Sequence, residues 1–176
     1  YLNGRPLYLR GVLHWGWDPD RLAPTPDRRT IRRELALLRR QGFNLVKHCL
    51  YLPAEEYARI ADQMGMLQWQ ELPMWLPQPD PGFAERVERE YDEMVRLLRH
   101  HPSFILWTLG CELSRVVDAG LLERLYRRVK ELVGDGLVRD NSGSGECYGG
   151  WLNEYADFYD YHFYAEPHHY THLMDR

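Results

Sequence analysis

Two rhythms alternate along the chain. Short apolar, β-prone runs occur at residues 7–14 (LYLRGVLH), 44–50 (NLVKHCL), 66–71 (MLQWQE), 104–109 (FILWTL) and 137–141, and 157–164 (DFYDYHFY) reads as a sixth. Between them the apolar positions take a 3.6-residue period. Ile31, Leu35 and Leu38 share a face after Asp27, a suitable N-cap, and the pattern stops at Gly42. Tyr57, Ile60, Ala61 and Met64 form a second stripe closed by Gly65. Residues 83–100 carry a third, with Val87, Tyr91, Met94, Val95 and Leu98, and residues 118–133 a fourth, with Leu121, Leu122, Leu125, Val129 and Leu132. The Gly- and Ser-rich stretch between the fifth and sixth runs reads as a long loop.

Strand and helix in this alternation predict a parallel sheet with crossover helices. A doubly wound nucleotide-binding sheet calls for a glycine-rich turn after its first strand, and GVLHWGWDPD is not one. Polar residues instead close nearly every strand: His14, His48, Glu71, Glu112 and His162. In a closed barrel that is the end where active sites lie. The expected fold is therefore α/β, a (β/α)8 TIM barrel. A complete barrel takes about 250 residues, so residues 1–176 are expected to form one partial barrel domain holding about strands 1–6.

Composition changes this picture little. The chain is 44% hydrophobic and 27% charged, with a net charge of -4 carried by interspersed residues, which argues against a nucleic-acid partner. No apolar run reaches the ~18 residues of a membrane span. The three cysteines, at 49, 111 and 147, show no disulfide or zinc spacing, and no cofactor is expected. The 13% aromatic content suits both a core and a sugar-binding cleft.

The densest chemical signal is His101-Pro-Ser-Phe-Ile-Leu-Trp-Thr-Leu-Gly-Cys-Glu112, a buried strand ending in Gly and then a carboxylate. Partial desolvation at such a rim raises a carboxyl pKa, which lets it donate a proton near neutral pH as glycoside cleavage requires. The same spacing also fits a first-turn Glu of the following helix, and spacing alone leaves both open.

This segment resembles the fourth-strand motif of glycoside hydrolase family 2, HPS-apolar-W-S-L-G-N-E. LNGRPLYLRGVLH resembles that family's entry into its barrel, and Gly42-Phe-Asn-Leu-Val-Lys-His its second strand. ADQMGMLQWQE resembles the end of its third strand, and Asp160-Tyr-His-Phe-Tyr164 its sixth. The resemblance implies a retaining exo-β-glycosidase acting on a terminal β-linked sugar, in a protein with flanking β-sandwich domains. Glu112 would be the general acid/base, with the nucleophile Glu on a seventh strand past the end of this chain. It also implies sugar contacts from His14, Lys47, His48, Glu71, Cys111, His162 and Tyr164. Two of these depart from the family pattern. Cys111 stands where Asn is usual, exchanging a strong hydrogen-bonding group for a weak one. Lys47 stands where Arg is usual, giving up a planar two-point grip.

Other residues are ambiguous. Glu71 and Glu146 are the remaining carboxylates near the expected cleft, each fitting a structural or a binding role. Trp15, Trp17, Trp75 and Trp151 follow strands and are divided between stacking and packing. His100 and His101 precede the fourth strand and are expected to be structural, while His168, His169 and His172 fall in a Pro-broken tail read as loop. Two alternatives follow: a barrel of the same descent that only binds carbohydrate, suggested by Cys111 and Lys47, and a metal-dependent barrel hydrolase. The latter needs a His-x-His pair on the first strand, where only His14 stands.

Overall fold

The computed structural model describes residues 1–19, 21–22, 27–143, 155–162 and 164. Five strands and four helices alternate: β1 (Gly11–His14), α1 (Arg28–Arg40), β2 (Leu45–His48), α2 (Glu55–Met64), β3 (Leu67–Glu71), α3 (Phe83–Leu98), β4 (Phe104–Thr108), α4 (Ala119–Val133) and β5 (Leu137–Arg139). All strand pairs are parallel, in the order β1-β2-β3-β4-β5. Each strand pairs with its sequence neighbour and the order never reverses. This is the wall of a (β/α)8 barrel, since a doubly wound sheet reverses at its switch point.

The helix ends follow from local chemistry. Asp27 caps α1 by accepting from the Arg29 and Thr30 N–H groups at 2.9 and 3.0 Å. Asp118 does the same for Leu121 at the start of α4, at 2.9 Å. Gly65 ends α2 in the left-handed conformation at φ 64°, which glycine adopts without Cβ strain. The helices bury the stripes the periodicity marks. Ile31 and Leu35 of α1 join Val46, Tyr57 and Ile60 in one cluster, while the α3 and α4 stripes enclose Trp107 and Val138 in another.

Strand alternation decides which side chains face the barrel interior. Trp107 and Val138 lie among the helix side chains, so their row faces the helices. Register places His14, His48 and Gln70 in that same row. The alternate rows, Leu13-Lys47-Trp69 and Glu71-Thr108-Arg139, face inward.

The sixth strand expected over 157–164 is not formed among the described residues. After β5 the chain returns antiparallel, with a bridge between Arg139 and Ala156. Asp157 fixes this return: its N–H donates to the Val138 carbonyl and its Oδ2 accepts from the Val138 N–H, both at 2.8 Å. These bonds occupy the edge group of β5 that a parallel partner would need. Phe163 lies outside the described residues.

Candidate active site

The C-terminal ends of β2, β3 and β4, with the segment after β5, enclose a cavity of about 400 Å³. Lys47, Glu71, Cys111, Glu112, His162 and Tyr164 all line it, so six of the sugar-contact and catalytic residues expected from sequence converge there.

Glu112 owes its position to a strained backbone. Its φ is 50°, a left-handed conformation costing a non-glycine residue about 1–3 kcal/mol. Neighbouring segments hold it there. The Glu112 N–H donates to the Ser142 carbonyl at 2.7 Å, the Cys111 N–H to the Met74 carbonyl at 2.9 Å, and the Leu113 N–H to Asn141 Oδ1 at 2.8 Å. Gly110 is required in this turn, because a Cβ would stand 2.9 Å from the Met74 carbonyl oxygen.

Glu112 is only 5% exposed, and its carboxylate is gripped on both oxygens. Trp75 Nε1 donates to Oε2 at 3.3 Å, while Tyr164 OH donates to Oε1 and His162 Nδ1 lies 2.9 Å from that oxygen. Burial pushes its pKa up, but the hydrogen bonds from Tyr164, His162 and Trp75 outweigh it and hold the carboxyl below its ordinary value. The rise expected from desolvation alone is thus reversed. His162 is shifted the other way. Its bond to Asp160 raises its pKa, burial opposes this, and the bond to Glu112 adds to the rise.

Below Glu112 lies a second charged group. Lys47 Nζ is 2.6 Å from Glu71 Oε2 and 2.7 Å from Ser142 Oγ, and sits over the Trp69 ring at 4.3 Å from its centroid. Ser142 Oγ connects this group to the first, reaching Asp160 Oδ2 at 2.5 Å and His162 Nε2 at 3.0 Å. Arg139 pairs with Asp160 and neutralises it from inside the barrel. Cys111 is buried, and burial followed by the Glu71 charge raises its thiol pKa, keeping it protonated and non-nucleophilic. Cys111, Glu112 and His162 bring one potential ligand atom each to within 4.8 Å of one another.

Two expected site residues lie elsewhere. His48 is fully buried in the helix-facing row, with Nδ1 2.9 Å from Tyr51 OH and Nε2 2.5 Å from Gln68 Oε1, and burial lowers its pKa to about 3. His14 occupies the same row, against Tyr51 and with Nε2 3.0 Å from Glu34. Among the described residues neither lines the cavity. Trp15 and Trp75 line it, and Trp17 does not. Glu146, Trp151, His168, His169 and His172 lie outside the described residues. Ser142, Asn141, Arg139 and Asp160 were missed as site residues. The polar run Arg139-Asp140-Asn141-Ser142 directly ends a strand, the same signal that marks Glu71 and Glu112.

The family model for the TIM barrel domain of glycosyl hydrolases family 2 matches residues 1–165. A β-galactosidase of Pectobacterium atrosepticum is 32% identical over 127 residues, covering 63% of this chain and 11% of that protein. β-Galactosidase 2 of Enterobacter cloacae is 30% identical over 137 residues, covering 73% and 13%. The chain thus spans only about an eighth of these curated relatives. Among solved structures, Bacteroides uniformis β-glucuronidase 2, covalently bound to cyclophellitol-6-carboxylate aziridine, superposes with a TM-score of 0.78 at 25% identity, over 93% of this chain and 22% of that one. B. uniformis β-glucuronidase 3 superposes with a TM-score of 0.81 over 99% of this chain and 23% of that one, and at 21% identity attests the fold.

Proposed function

The chain belongs to glycosyl hydrolases family 2 through its TIM barrel domain, and from that premise we propose that it carries the acid/base half of a retaining exo-β-glycosidase site. The substrate is a terminal β-linked sugar, bound in the cavity over Lys47, Glu71 and Cys111. Glu112 protonates the leaving-group oxygen and then, ionised, activates water. The nucleophile is a second carboxylate from a later strand of the longer protein, and flanking β-sandwich domains complete the pocket.

The observation that carries this reading is the grip on Glu112. A carboxylate held in a strained turn, with three donors on its two oxygens and a cavity beside it, is positioned rather than merely exposed. The donors favour its ionised form, the state needed to activate water. A nucleophile carboxylate close to Glu112 would push its pKa back up by like-charge repulsion, supplying the protonated form for the first step.

The test is Glu112→Gln in the full-length protein. Glycosides with poor leaving groups should lose about 10²–10⁴-fold in rate, and nitrophenyl glycosides, whose departure needs little protonation, far less. Equal losses on both would refute the acid/base role.

A further inference from the structure

At the other end of β4, away from Glu112, we propose that Glu55, His100 and His101 form a binding site for a divalent metal ion of the zinc class. One ligand atom from each residue lies within 4.8 Å of the other two.

His101 carries the argument. It is 6% exposed, and its Nδ1 lies 2.5 Å from Asp62 Oδ2. Asp62 is itself fixed on its other oxygen by the Ser103 N–H at 3.1 Å. A carboxylate at Nδ1 fixes the ring proton there and leaves the lone pair on Nε2. That Nε2 is buried and has no hydrogen-bond partner among the described residues. A buried acceptor without a donor is unfavourable, and a metal ion would satisfy it. A carboxylate behind the imidazole is also the arrangement that orients metal-ligating histidines.

The other two ligands are exposed side chains with freedom to close on the ion. The His100 ring centroid is 4.3 Å from that of His101. Glu55 is paired with Arg59 at 2.7 Å, and Arg59 also reaches Glu56 at 3.4 Å, so it retains a carboxylate when Glu55 turns away. Tetrahedral zinc holds its nitrogen and oxygen ligands about 3.3 Å apart, so the three atoms must approach by at most about 1.5 Å. Two imidazoles and a carboxylate suit zinc, with water as fourth ligand. The bound ion would tie the first turn of α2 to the connection between α3 and β4.

The test measures zinc content of metal-stripped protein after dialysis against Zn²⁺, with no reference to enzymatic activity. Wild type should hold one equivalent that His100→Ala and Glu55→Gln lose, both substitutions being at exposed side chains. Asp62→Asn should weaken binding about 10–100-fold, and zinc should raise the unfolding midpoint of wild type but not of His100→Ala. Cys111→Ser should retain the ion, which separates this site from the three donor atoms around Glu112. The proposal is overturned if His100→Ala keeps its full zinc content, or if Cys111→Ser is the variant that loses it.

Discussion

Replacing Lys47 by Met tests whether the inward-facing charges are a tightly coupled buried network. The Lys47 side chain is 7% exposed and that of Glu71 is 1% exposed, with 2.6 Å between Nζ and Oε2. Asp160 also approaches Lys47, at 3.8 Å, but keeps Arg139 as its nearer partner. Among the described residues Glu71 has no other cation within ion-pair distance, so Lys47→Met strands it as a buried charge. Breaking one side of a buried pair costs about 3–5 kcal/mol. Met preserves most of the aliphatic stem over Trp69, so the loss reports the ammonium and not the packing. Urea unfolding at neutral pH measures it directly. The double variant Lys47→Met/Glu71→Gln should recover most of the loss, because it removes the stranded charge along with its partner. A loss below about 1 kcal/mol, the value of a solvent-exposed pair, would show that water reaches this group and refute its burial.

Three further outcomes follow from the same geometry. In Gly143→Ala, the backbone sits at φ 61° and the new Cβ would collide with the His162 ring; NMR should show His162 displaced from Glu112 and its pKa returned toward the ordinary value, and an unchanged titration would contradict this contact. Ser142→Ala keeps the main-chain carbonyl that holds Glu112 but removes the hydroxyl shared by Lys47, Asp160 and His162, costing about 1–3 kcal/mol in urea unfolding, whereas a neutral effect would mean that the hydroxyl joins nothing. The pH window of the His162–Glu112 pair is also set. His162 has a raised folded pKa, so its contribution is full below its unfolded value of 6.5 and fades as pH rises through the folded one. Glu112 has a lowered folded pKa, so its contribution is full above 4.5 and fades as pH falls through the folded one. The stability difference between wild type and His162→Gln should therefore peak between pH 4.5 and 6.5, and a difference that is flat with pH would exclude the ion pair.

What the sequence conveyed, and what it hid, divide along physical lines. The helix stripes and the strand runs were legible because burial imposes their periods, and Asp27 and Gly65 marked ends that the backbone needs. Glu112 was legible as a polar residue ending an apolar strand, and the fourth-strand resemblance singled it out. His14 and His48 satisfied the same strand-end criterion and yet face the helices. A strand has period two, so the residue at its end faces inward or outward according to register, and one position decides which. Lys47 and His48 are adjacent, and only Lys47 reaches the cavity. The direction of the Glu112 shift was hidden for another reason: desolvation can be guessed from an apolar run, but Tyr164 and His162 arrive from some fifty residues away.

Those distant contacts make Ser142 the residue that assembles the site. Its carbonyl holds the Glu112 N–H in the strained turn, so the segment following β5 sets the direction in which the carboxylate points. Its hydroxyl holds Lys47 from β2 and reaches Asp160 and His162 in the returning segment. Displacing His162 therefore disturbs more than one hydrogen bond to Glu112, since it also releases the hydroxyl that steadies the Lys47–Glu71 pair. The two carboxylates, Glu71 and Glu112, are each held by a group that Ser142 also holds. A substitution at Ser142 or Gly143 thus acts on both carboxylates together, whereas one at Trp75 removes a donor from Glu112 directly.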